Sequence, residues 1–129
     1  MDHPRTLLRI MILYAVASLL HFVHNALYIQ SYPNMPTWIT PFGVYASWCG
    51  ITATGVLGYW LYQSGSRAAG LLVIALYALL GFGGLDHYAI APIRAHTAAM
   101  NATIFAEVSA ASTLLVFVAY SYLRDRRQV

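Results

Sequence analysis

The chain has 129 residues, 60% of them hydrophobic and only 9% charged, with a formal net charge of +3 at pH 7. Ordinary soluble domains carry about 25% charged residues, and a core of this size cannot take in so much apolar surface, so the composition argues against a water-soluble fold and for bilayer solvent. All seven basic residues are Arg, and they sit at the ends of apolar segments, which reads as a topology signal and not as a nucleic-acid footprint.

The first apolar segment covers residues 6–28. At ~1.5 Å per residue it is long enough for ~30 Å of hydrocarbon. Arg5 and Arg9 precede its uninterrupted apolar run, and Ala15-Val16-Ala17 has the look of a signal-peptide cleavage site. The apolar run continues past that point to Ile29, so an uncleaved helix is expected. Residues 30–41 hold Pro33, Pro36 and Pro41 with Asn34 and Ser31, the composition of a loop. The second segment, residues 42–62, repeats small residues at Gly50, Thr54 and Gly58, a ridge that lets helices approach closely. A short turn, Gln63-Ser64-Gly65-Ser66, leads to the third segment, residues 67–88. Pro92 breaks the connection at 89–96, and Thr97 is a suitable N-cap for the fourth segment, residues 97–123. The single Cys49 rules out an intrachain disulfide and speaks against a cysteine-based metal site.

Short connections predict an all-α, antiparallel up-down bundle of four transmembrane helices, one domain spanning residues 1–129. Arg5, Arg9, Arg67, Arg124, Arg126 and Arg127 fall at one end and only Arg94 at the other. That asymmetry predicts both termini in the cytoplasm, in a plasma or bacterial inner membrane. Tyr28, Tyr32, Trp38, Tyr45 and Tyr88 would then form an outer aromatic belt, and Tyr59, Trp60, Tyr62, Tyr120 and Tyr122 an inner one.

With this topology His21, His24, His87, His96, Asp86 and Glu107 all fall in the outer half. Ionisable groups at such depth are expensive and usually functional. His21, His24, Asn25 and Tyr28 share a helix face, as do His96, Met100, Thr103 and Glu107. Glu107 lies about 15 Å into its helix, where a charge costs roughly 2.5–3.5 kcal/mol and a partner is expected, a histidine among the candidates.

Imidazole and carboxylate are the usual ligands of zinc, copper and iron. The leading expectation is a transition-metal site built from His21, His24, His87 and His96, with Asp86 and Glu107 as the catalytic carboxylates. A second reading is a metal-free membrane enzyme in which a His/Glu or His/Asp pair shuttles a proton on a lipophilic small molecule. A third is non-covalent haem held by two histidines, since no CxxCH is present. The lipid bilayer is the expected partner in each case, no nucleic acid is, and a homo-oligomer or an accessory role in a larger membrane complex fits the size.

Overall fold

The computed structural model describes residues 3–127, and among them there is no strand. Five α-helices follow one another: α1 (His3–Leu27), α2 (Pro41–Gln63), α3 (Arg67–Leu80), α4 (Asp86–Ile90) and α5 (Ala98–Arg126). Short 3-10 turns occupy Ile29–Ser31, Gly81–Leu85 and Ile93–Ala95. Helices α1, α2, α3 and α5 pack as a ring, each against two neighbours.

Three stretches are long and apolar enough to cross a membrane: Pro4–Leu27, Arg67–Ile90 and Ala98–Arg126. The 23-residue α2 is not among them, because glycines, threonines and aromatic residues dilute its aliphatic run. Its start is well defined nonetheless. Thr40 is extended and its hydroxyl accepts from the Gly43 N–H at 3.1 Å, while Pro41 takes a first-turn position where no N–H is needed. Helix α5 begins the same way: Thr97 caps it by accepting from the Met100 N–H at 3.2 Å.

The core runs between α1, α3 and α5, with Leu7, Tyr14, Leu71, Ile74, Ala111 and Leu114 almost wholly buried. The Tyr14 hydroxyl donates to the Tyr77 carbonyl at 3.3 Å, and the two rings lie 4.6 Å apart. Close approach of α2 and α3 depends on glycine. A Cβ on Gly58 would sit 2.7 Å from Ile74 Cγ1, and one on Gly55 equally close to the Tyr77 ring. The small-residue ridge is therefore only partly the expected one: Gly58 belongs to it, but Gly50 faces open space and Gly55 and Gly70 do the packing.

Segment three also departs from expectation. It is not one regular helix to residue 88 but α3, a 3-10 turn over Gly81–Leu85, and the short α4. Three glycines in four residues weaken the α-helical preference. Packing then selects the tighter turn, because Gly81 rests against Tyr14 and Ala111, where any side chain would collide. The aromatic belts need correction too: Tyr32 and Tyr62 are 3% and 5% exposed, inside the protein.

Candidate acid–base site

The inward stripe of α1 is Tyr14, Ser18, His21 and Asn25, spaced like one face of a helix. Opposite it, α5 presents Thr103 and Glu107. Glu107 is 1% exposed, Ser18 1% and His21 2%. The Ser18 hydroxyl donates to Glu107 Oε1 at 2.7 Å. Glu107 Oε2 lies 3.7 Å from His21 Nε2 and has no hydrogen-bond partner.

The tautomer of His21 follows from its other nitrogen. Thr103 donates its hydroxyl proton to the Met100 carbonyl at 3.0 Å, so it can only accept from His21 Nδ1, 3.3 Å away. In the neutral ring Nε2 is then the bare nitrogen, and it faces Glu107.

Gly84 closes this arrangement from the 3-10 turn. A Cβ there would lie 3.1 Å from Glu107 Oε2 and 3.8 Å from His21 Nε2. The glycine thus leaves the space beside both atoms open. That space adjoins a cavity of about 530 Å³ lined by His21, Asn25, Gly84 and His87 at its polar end. Phe22, Ile51, Leu80 and the loop residues Met35 and Trp38 make its apolar walls. Asp86 lines the same cavity and is exposed, so it stands at the rim.

His24, His87 and His96 surround Tyr32. Its ring centroid lies 4.8 Å from that of His87, 5.9 Å from His24 and 6.4 Å from His96. Its hydroxyl bonds His24 Nδ1 at 2.9 Å. Burial pushes that hydroxyl up to about 12, so it keeps its proton at any ordinary pH. His87 Nε2 takes the Asn25 side-chain amide at 3.3 Å, and His96 Nδ1 donates to the Pro92 carbonyl at 3.1 Å. The loop that carries Tyr32 is tied down by Asn34, which adopts φ 56° and donates to the Ile90 carbonyl at 2.8 Å.

Comparison with known protein families, with curated proteins and with solved structures finds no match for this chain. What it does must therefore be argued from the geometry.

That geometry does not favour the expected metal set. Among the described residues no three His, Cys, Asp or Glu side chains converge as ligands. Each of the four imidazoles commits one ring nitrogen to a different partner: Thr103, Tyr32, Asn25 and Pro92. The His21 and His87 rings meet edge-on with centroids 5.4 Å apart. Two members of the site escape the reading from sequence alone. Ser18 has a visible signal, three residues before His21 on the same face. Tyr32 has none, since a loop residue shows no period.

Proposed function

We propose that this chain is an integral membrane protein, a four-helix bundle with both termini cytoplasmic, whose His21–Glu107 pair moves a proton to or from a lipophilic small molecule held in the adjoining cavity. The membrane part is supported by exposed aliphatic residues on every long helix, among them Leu20 at 59%, Leu57 at 50%, Leu72 at 58% and Val116 at 70%. Such a surface in water forfeits about 25 cal/mol per Å². Six of the seven arginines fall at the end away from His21, His24, His87 and His96, which favours an outward-facing site.

The observation that carries the chemical reading is the open oxygen of Glu107. Most buried carboxyl oxygens are satisfied, since a buried unpaired polar atom costs about 1–3 kcal/mol. Here Oε1 is bonded and Oε2 is left facing a bare imidazole nitrogen beside a glycine gap. His21 reaches the cavity, whereas Glu107 does not line it. His21 therefore acts on the ligand, and Glu107 serves as its proton partner. A positioned acid–base group of this kind is worth about 10²–10⁴-fold in rate.

The test is proton exchange on a lipophilic carbon acid. The full chain in nanodiscs, given a 4-alkylcyclohexenone in D2O, should speed deuterium entry beside the carbonyl relative to empty nanodiscs. No acceleration would count against the reading. Elemental analysis and an absorption spectrum of the purified protein should show metal far below one equivalent and no Soret band. One equivalent of zinc, copper or iron, lost in His21→Ala, would restore the metal site in place of the acid–base pair.

A further inference from the structure

We propose that the ligand of this cavity is a lipophilic amine, bound with its ammonium head between Asp86 and His21 and its apolar body against the loop. The inference rests on the cavity being a ligand site and goes further by naming the chemical class.

Charge is the first argument. Eighteen residues line the cavity, and the only formal charge among them is the Asp86 carboxylate; none of the seven arginines contributes. A carboxylate at the mouth of an otherwise uncharged cavity attracts a cation and repels a fatty acid or a phosphate ester.

Hydrogen-bonding sense is the second. At the polar end His21 Nε2 is an acceptor, because Nδ1 carries the proton given to Thr103. An acceptor facing a ligand calls for a donor on it, and an ammonium group brings donors only. Charge-assisted bonds of this type are about twice as strong as neutral ones.

The walls supply the rest. Phe22, Met35, Ile39, Val44, Ile51 and Leu80 are apolar and suit the alkyl chain of an amine. The cavity of about 530 Å³ lies within the roughly 300–1,000 Å³ usual for small-molecule sites. A single-chain amine fits it.

The experiment is a calorimetric titration of the full chain in zwitterionic nanodiscs with dodecylamine and with dodecanol, empty nanodiscs subtracted. These probes share length and apolar area and differ in the head. Dodecylamine should bind at least about tenfold tighter than dodecanol, the low end expected for hydrogen bonds to a charged group. Asp86→Asn should remove most of that preference and leave dodecanol binding unchanged. Equal binding of the two probes by the unaltered protein would overturn the amine while leaving the cavity as a ligand site. An amine preference that survives in Asp86→Asn would overturn the assignment of the head group. Binding of neither probe would overturn both the amine and the ligand cavity.

Discussion

Replacing Glu107 with glutamine should cut cavity-dependent deuterium exchange by about 10²-fold or more, the usual scale for removing one acid–base partner. The amide keeps an oxygen for the Ser18 hydroxyl, whose 2.7 Å bond to Oε1 holds the side chain in place. Folding should therefore be preserved, with helical content by circular dichroism unchanged. What is lost is the proton capacity 3.7 Å from His21 Nε2. Exchange at the original rate in Glu107→Gln would mean that His21 works without it. The dodecanol titration provides the control, since the glutamine variant should bind that neutral probe as before.

The largest effect on stability should come from Gly70→Ala. A methyl group at this position would drive into the Tyr62 backbone, with Tyr62 Cα at 2.7 Å and the Gly58 carbonyl oxygen at 2.8 Å. These are main-chain atoms, so no side chain can swing aside. Helices α2 and α3 must separate, and overpacking of this sort costs about 1–3 kcal/mol, here at the upper end. A clear fall in the thermal-shift midpoint in detergent is expected. Gly50→Ala is the matched control: it meets nothing within 4 Å and should leave the midpoint where it was.

Much of the helical layout is legible in the sequence because apolar runs and caps are local signals. Residues 6–28, 42–62 and 97–123 correspond to His3–Leu27, Pro41–Gln63 and Ala98–Arg126. Thr97 announces its own helix start, since a hydroxyl one position before an apolar run is a capping signal. The break in segment three is written in Gly81, Gly83 and Gly84, yet hydropathy runs straight through it. Of these glycines, Gly84 opens space beside Glu107 and His21.

The site itself is half legible. Helical spacing aligns His21 with Asn25 and Glu107 with Thr103, and these do meet across α1 and α5. His24, sharing a helix face with His21 on paper, turns to the loop and bonds Tyr32. That outcome depends on Asn34 anchoring the loop to Ile90, a long-range contact with no trace in local pattern. Counting histidines in one half of the bundle suggests a shared ligand sphere. Hydrogen-bond partners decide otherwise, and those are set only once the chain is folded.

The central claim is that His21 holds a bare Nε2 toward Glu107 at the end of a ligand cavity. Nitrogen-15 NMR of the full chain with labelled imidazoles, read in nanodiscs with and without dodecylamine, tests it most directly. His21 should show a protonated Nδ1 and an unprotonated Nε2, and the Nε2 resonance should move on adding the amine while that of His96 stays put. A proton on Nε2 with Nδ1 bare, or an Nε2 signal indifferent to ligand and to Glu107→Gln, would contradict the account.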